Sequence, residues 1–193
     1  KYDTAALESV YTGDDIRATN RLNAVLQAIA RYHPNLETTH AVGFCASVKH
    51  AEFMALKFKE VGYSAEVVLG ETPGPMRDKR INDFRAGRLS FLFTVDVFSE
   101  GVDIPEINLV LFLRPTESLT VFLQQLGRGL RHAPEKDCLT VLDFVGQSHR
   151  KYRADRKFSA LLRNSRRRID LEIQNDFPNL PPGCNIHLER VAR

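Results

Sequence analysis

The sequence predicts an α/β domain in which a parallel sheet is covered by helices on both faces. Five short apolar stretches of strand length occur between residues 40 and 144, and segments with helical spacing separate most of them. Strands that alternate with helices favour parallel pairing, because a parallel return needs a crossover connection. The 193 residues, 43% hydrophobic and 26% charged, suit one globular domain with an extension.

The first predicted helix covers residues 14–31, where apolar residues recur at helical spacing after two acidic residues. The short apolar stretch 40–46 predicts the first strand. Ser47 then fits the N-cap of a second helix that ends near Gly62. The residues that mark the buried face of this second helix are Val48, Ala51, Ala55 and Phe58.

Four further strands and two further helices are predicted before residue 145. The strands are Ala65–Leu69, Ser90–Thr94, Ile107–Leu113 and Cys138–Phe144, and the helices lie at about 75–86 and 118–131. A basic helix at about 148–168 and a Pro-rich stretch follow. We therefore predict a domain over 1–146 and a basic helical extension over 147–193.

Charge and cysteine usage narrow the class of protein only slightly. The net charge is +3, but residues 150–168 hold nine Lys or Arg against one acid, Asp155. Such a run is typical of a solvated surface helix, although it also suits a phosphate-contacting face. The three cysteines are far apart, which predicts no disulfide framework and no metal site, and favours a cytoplasmic location.

The most informative stretch is QQLGRGLR, residues 124–131. On a helix, Gln124, Arg128 and Arg131 are spaced i, i+4 and i+7 and fall on one face, opposite an apolar face. Arginine offers planar, permanently charged donors that match phosphate oxygens. The pattern alone is equally compatible with a surface helix that carries two unrelated arginines.

A second stretch, FLFTVDVFSEGVDIP at residues 91–105, predicts a strand that runs into a polar loop. Ligands of parallel α/β sheets bind at the carboxyl ends of strands. Thr94 and the loop amides could bind a phosphate there, and a carboxylate such as Asp103 could accept a hydrogen bond from a ribose hydroxyl. Asp and Gly also favour ordinary turns, so the pattern alone does not decide between these interpretations.

Together and in this order, with GFCASVKHAEFMA at residues 43–55, these stretches resemble motifs IV, V and VI of the C-terminal RecA-like domain of superfamily 2 DEAD/DEAH-type helicases. Gly70, Arg77, Phe84 and Gly87 match spaced positions of the same family. Gln124 in place of His departs from the DEAD-box RNA helicases. It is closer to the branch with restriction-enzyme motor subunits and bacterial DNA-repair helicases, which implies DNA as the substrate.

The resemblance implies a role for each matching residue. Arg131 would be the arginine finger and Arg128 a second contact to the γ-phosphate, while Gln124 would order the nucleotide cleft. Gly101 and Asp103 would lie beside the nucleotide. The residues implied to contact the nucleic-acid backbone are Thr94, Ser47 and Arg77. The implied cofactors are ATP and Mg²⁺, held mainly by an N-terminal RecA-like domain as the partner of this one.

The sequence lacks motifs that bind and hydrolyse ATP, which indicates an ATP site divided between two domains. It contains no Gly-x-x-x-x-Gly-Lys-Ser/Thr loop, no Gly-Lys dipeptide and no Asp-Glu dipeptide. We therefore expect this chain alone to hydrolyse no ATP. Two alternatives stay open: a translocase subunit of a restriction or repair system without strand separation, and a non-catalytic nucleic-acid-binding module.

Overall fold

A computed structural model of the chain describes residues 12, 16–95, 104–114, 136 and 138–144. The chain divides into two compact units, and all of the described residues belong to the first. The elements in chain order are α1 (Ile16–Tyr32), β1 (Ala41–Phe44), α2 (Val48–Glu60), β2 (Ala65–Val67), α3 (Gly74–Arg85), β3 (Phe91–Thr94), β4 (Leu109–Phe112) and β5 (Thr140–Asp143).

The five strands form one parallel sheet in the order β2-β3-β1-β4-β5, which confirms the predicted RecA-like α/β fold. Every strand therefore ends at the same edge of the sheet. The chain leaves β1 toward β2 on one side, and it leaves β4 toward β5 on the other. The crevice between β1 and β4 is thus the topological switch point, where ligands of open α/β sheets bind.

The main core forms where α1 and α2 pack on one face of the sheet. Phe58 lies at its centre, with its ring centroid 4.8 Å from that of Phe91 and 5.0 Å from that of Phe93. The buried residues of this cluster come from two helices and four strands: Leu22, Val25, Ile29, Ala41, Cys45, Ala51, Met54, Ala55, Phe58, Ala65, Phe91, Phe93, Leu109, Leu111 and Leu113. The burial of Leu22, Val25 and Ile29 confirms the apolar spacing predicted for α1.

The predicted strands at 40–46, 107–113 and 138–144 each extend one or two residues beyond the observed strand at both ends. Two further details of the prediction are wrong. Val48 is 45% exposed, because it is the first residue after the N-cap and precedes the part of α2 that packs on the sheet. Strand β2 ends at Val67 and not at Leu69, since the chain turns there: the backbone N–H of Leu69 donates to Thr72 Oγ1 at 2.9 Å.

Helices predicted at 118–131 and 148–168 lie outside the described residues, so they and the domain boundary at 146 stay predictions. Within the described part of the chain, no helix is both long and apolar enough to cross a membrane.

Gly43, in the central strand β1, lies directly against the ring of Phe93. A Cβ atom at position 43 would stand 2.5 Å from Phe93 Cδ1 and 2.7 Å from Cε1. We expect Gly43→Ala to lower the free energy of unfolding by about 1–3 kcal/mol, as overpacking of a filled core does. Urea denaturation would measure the loss, and Phe93→Leu in the same chain should recover part of it. A Gly43→Ala variant as stable as the wild type would contradict this packing.

Candidate functional site

The carboxyl edge of the sheet is held together by backbone hydrogen bonds that continue beyond the strands. The N–H of Cys45 donates to the carbonyl of Thr94 at 2.7 Å, and the N–H of Leu113 donates to the carbonyl of Phe44 at 3.1 Å. The ends of β3, β1 and β4 therefore lie side by side. Residues that follow these strands share one surface of the domain.

Ser47 caps the N-terminus of α2, as predicted. Its backbone is extended, with φ −150° and ψ 168°, and its Oγ accepts a hydrogen bond from the backbone N–H of His50 at 3.2 Å. This bond uses an acceptor of the hydroxyl group and leaves its hydrogen able to donate. Because Ser47 is only half-buried, a phosphate oxygen could receive that hydrogen bond at the N-terminus of α2.

The side chain of His50 accepts a hydrogen bond from the segment that precedes the helix. Its Nδ1 accepts from the backbone N–H of Ala46 at 3.2 Å, so the neutral ring carries its proton on Nε2. Burial and, to a smaller extent, the positive charge of Arg21 together lower the pKa of His50 to about 4. The sequence analysis did not single out His50, although the pattern Ser-x-x-His resembles a capping box, in which the third helical residue is Glu or Gln.

Thr94 is the last residue of β3, and its side chain is fully buried. Its Oγ1 makes no hydrogen bond with the part of the chain that the structure describes. Thr94 is in register with Phe44, which is in register with Phe112, and the two phenyl rings stack at 5.6 Å. At the carboxyl edge, the Thr94 hydroxyl, which has no partner among the described residues, therefore lies in the same row across the strands as this aromatic pair.

Arg77, in the first half of α3, turns back onto the segment that follows β2. Its Nη2 donates to the carbonyl of Gly70 at 2.7 Å and to that of Leu69 at 3.2 Å. Arg80 similarly donates to the carbonyl of Val67 at the free edge of the sheet. In this structure, Arg77 therefore stabilises the β2–α3 loop, and its implied contact with nucleic acid stays a prediction.

Ser47, Thr94 and Arg77 accordingly lie at the ends of three neighbouring strands, β1, β3 and β2. The residues implied on the nucleotide side, Gly101, Asp103, Gln124, Arg128 and Arg131, lie outside the described residues.

Two arginines that the sequence analysis did not identify lie near this edge. Arg114 follows β4, and its charge acts on the thiol of Cys45, whose pKa burial nevertheless raises. The charge of Arg21, in α1, lowers the pKa of His50, and there it adds to the effect of burial. Neither arginine belongs to a local motif, because Arg21 lies in α1 and Arg114 follows β4. Their charges act on Cys45 and His50, which lie on either side of Ser47 in the sequence.

A cleft of about 300 Å³ lies elsewhere, between α2, β2 and α3, and holds none of the predicted site residues. Its charges neutralise each other, since Lys59 contacts Glu66 at 2.7 Å and Arg80 contacts Glu66 at 3.1 Å. Across the described residues, no group of His, Cys, Asp and Glu could hold a metal ion.

Comparison with known proteins identifies similar domains. A family model described as "Helicase conserved C-terminal domain" matches residues 20–133. A "51.5 kDa protein" of Lactococcus phage (isolate 7-9) is 36% identical over 121 residues, which cover 63% of this chain and 26% of that protein. The "Putative ATP-dependent helicase IRC3" of Saccharomyces cerevisiae is 35% identical over 99 residues, 51% of this chain and 14% of that protein. The chain thus spans about a quarter or less of these two relatives.

Solved structures share the fold. The C-terminal domain of the DEAD-box protein Dbp5 superposes with a TM-score of 0.55 at 23% identity, covering 73% of this chain and 76% of that one. The Pyrococcus furiosus Hef helicase domain superposes with a TM-score of 0.52 at 21% identity, covering 75% of this chain and 29% of that one.

Proposed function

Because the chain belongs to the helicase conserved C-terminal domain family, we propose that it is the second motor domain of an ATP-dependent nucleic-acid helicase or translocase. Its part is to contact the nucleic-acid backbone and to supply arginine side chains to an ATP site that it shares with a first RecA-like domain. By itself it hydrolyses no ATP, since its sequence lacks the phosphate-binding loop and the Asp-Glu pair.

One observation carries the nucleic-acid side of this proposal. Ser47, Thr94 and Arg77, which are far apart in the sequence, lie at the ends of neighbouring parallel strands. Ser47 has a hydroxyl hydrogen to donate, and the N-terminus of α2 favours an anion. The backbone of a single strand could follow this line from β1 to β2 past Ser47 and Arg77, which are half-buried, whereas the side chain of Thr94 is fully buried in this structure.

The nucleotide side rests on the sequence motifs. Arg131 is the arginine finger and Arg128 a second γ-phosphate contact, with Gln124, Gly101 and Asp103 around the nucleotide. An arginine at the γ-phosphate stabilises negative charge in the transition state. We assign Mg²⁺ mainly to the first domain, which would hold the ion together with the phosphates of ATP, because this sequence lacks the phosphate-binding loop and the Asp-Glu pair.

Coupling of the two sites follows from their shared position between domains. ATP favours closure through Arg128 and Arg131, and nucleic acid favours closure through Ser47 and its neighbours. Each ligand therefore raises the affinity for the other. Hydrolysis removes the γ-phosphate contacts and favours reopening, and repeated cycles move the strand.

DNA is the proposed substrate because Gln124 follows the pattern of the DNA-directed branch. Of two relatives, one name specifies RNA and the other specifies no nucleic acid. IRC3 is described as a putative ATP-dependent helicase, and FAL1 of Kluyveromyces lactis, which is 28% identical over 99 residues, as an ATP-dependent RNA helicase.

Substitutions at Ser47 can separate a phosphate contact from helix capping. Ser47→Asp keeps an N-cap acceptor but replaces the hydroxyl donor with a negative charge. We expect it to change stability by less than about 0.5 kcal/mol and to weaken binding of a single-stranded oligodeoxynucleotide at least about tenfold. Ser47→Thr, which keeps both the cap and the donor, is the matched control. Fluorescence anisotropy on the full-length protein would measure the affinities, and wild-type affinity in Ser47→Asp would exclude the contact.

A further inference from the structure

His50 is a buried polar residue that the motor mechanism above does not use. The residue is 2% exposed and is one of the buried residues of α2. Its Nδ1 accepts from the backbone N–H of Ala46, and its own backbone N–H donates to Ser47 Oγ, each at 3.2 Å. The residue is therefore bonded to both positions that lead into the helix.

These bonds connect the end of β3 to the Ser47 hydroxyl. The carbonyl of Thr94 accepts from the N–H of Cys45, and the next residue, Ala46, donates to the His50 ring. Ala46 is itself buried, so its N–H needs a partner within the protein. The His50 ring supplies that partner, and this sets the direction in which the chain enters α2.

We propose that His50 is a positioning residue for nucleic-acid binding: its ring holds the backbone at Ala46 and thereby aims the Ser47 hydroxyl at the phosphate. This inference rests on the proposed function of Ser47. His50 does not touch the nucleic acid in this account, and it acts through the backbone of residues 46–47.

Two substitutions separate the role of His50 as a hydrogen-bond acceptor from its contribution to core packing. His50→Leu keeps most of the buried volume but has no acceptor for the Ala46 N–H. His50→Asn leaves a cavity, yet its Oδ1 can occupy the position of Nδ1. If packing matters, Asn is the more harmful change, because cavities destabilise a core. If the acceptor matters, Leu is the more harmful change for binding.

The test measures ATP turnover of the full-length protein as a function of the concentration of a single-stranded oligodeoxynucleotide. We expect His50→Leu to raise the half-saturating concentration about tenfold, with turnover at saturation changed less than about twofold. His50→Asn should stay within about twofold of the wild type at half-saturation, although it unfolds at a lower temperature. His50→Leu combined with Ser47→Asp should bind no more weakly than Ser47→Asp alone, because both changes remove the same contact.

Wild-type half-saturation in His50→Leu, or an equal loss in His50→Asn, would overturn the inference while leaving the proposed function intact. Turnover of the wild type that neither the oligodeoxynucleotide nor an oligoribonucleotide of the same length stimulates would overturn the proposed function and this inference with it. A measurement on the unaltered protein covers the case in which His50→Leu does not fold. The ¹⁵N shifts of labelled histidine should show His50 protonated on Nε2 alone, and a proton on Nδ1 would also overturn the inference.

Discussion

Replacing Arg131 with alanine in the full-length protein is expected to lower nucleic-acid-stimulated ATP turnover by about 10³-fold or more. Arginine fingers supply about 10³ to 10⁵ in rate in the phosphoryl-transfer enzymes where they have been measured. The sequence offers no lysine loop that could replace the missing charge within this chain. Binding of the oligonucleotide without ATP should change little, because Arg131 is assigned to the γ-phosphate.

Two further substitutions give this experiment its controls. Arg131→Lys keeps the charge but not the planar pair of donors, so most of the loss should remain. Arg85→Ala removes an exposed arginine from the last turn of α3, close to where β3 begins and therefore at the opposite edge of the sheet. This variant should leave ATP turnover near the wild-type value. A loss below about tenfold in Arg131→Ala would show that the arginine-finger assignment is wrong.

Acidification from about pH 6.5 to pH 4 is expected to reduce the free energy of unfolding by about 3 kcal/mol through His50 alone. Burial lowers the pKa of His50 in the folded chain to about 4 from its ordinary value of 6.5, and Arg21 acts in the same direction. Between these values the unfolded chain binds the proton and the folded chain does not. Stability therefore rises with pH in this window and is fully present above it.

The measurement is urea denaturation of the chain at several values between pH 4 and pH 7, compared with His50→Leu. Carboxylates also titrate at low pH, but they are common to both proteins and cancel in the comparison. The wild type should lose about 3 kcal/mol more than His50→Leu across the window. Equal losses in the two proteins would show that His50 is not held neutral in the fold.

The apolar patterns of the sequence predicted most of the described fold because burial on one face leaves a periodic trace. The spacing of Leu22, Val25 and Ile29 marks the buried side of α1, and the short apolar stretches correspond to the five strands. Boundaries were less accurate. The apolar stretch at Ala65–Leu69 continues past the end of β2, because Val68 is fully buried and still donates its N–H to the carbonyl of Phe93 at 2.9 Å.

The order of the strands has no local signature. Strand β3 lies between β1 and β2, although it follows both in the sequence, and only the packed sheet shows that the ends of β1, β3 and β2 are adjacent. The positions of Arg21 and Arg114 likewise have no local signature, because their charges act on His50 and Cys45 from elements that are distant in the sequence.

Some residues of the candidate site were predicted from the sequence and others were not, and this difference has a physical reason. Ser47 was identified because N-caps have a strong local preference, and the structure confirms the cap. Its partner His50 was not identified, since the usual capping-box residue at that position is Glu or Gln. For Arg77, the family pattern implied a ligand contact, whereas in this structure Nη2 of its guanidinium donates to the carbonyls of Leu69 and Gly70.

The central claim is that this chain is one half of a nucleic-acid-driven ATP motor. The most direct test is ATP turnover by the full-length wild-type protein without nucleic acid, with single-stranded DNA and with single-stranded RNA of the same length. The account predicts low turnover alone and strong stimulation by DNA. Stimulation by RNA only would keep the motor and contradict the choice of DNA. Turnover that neither nucleic acid changes, or the absence of turnover in all three reactions, would contradict the claim itself.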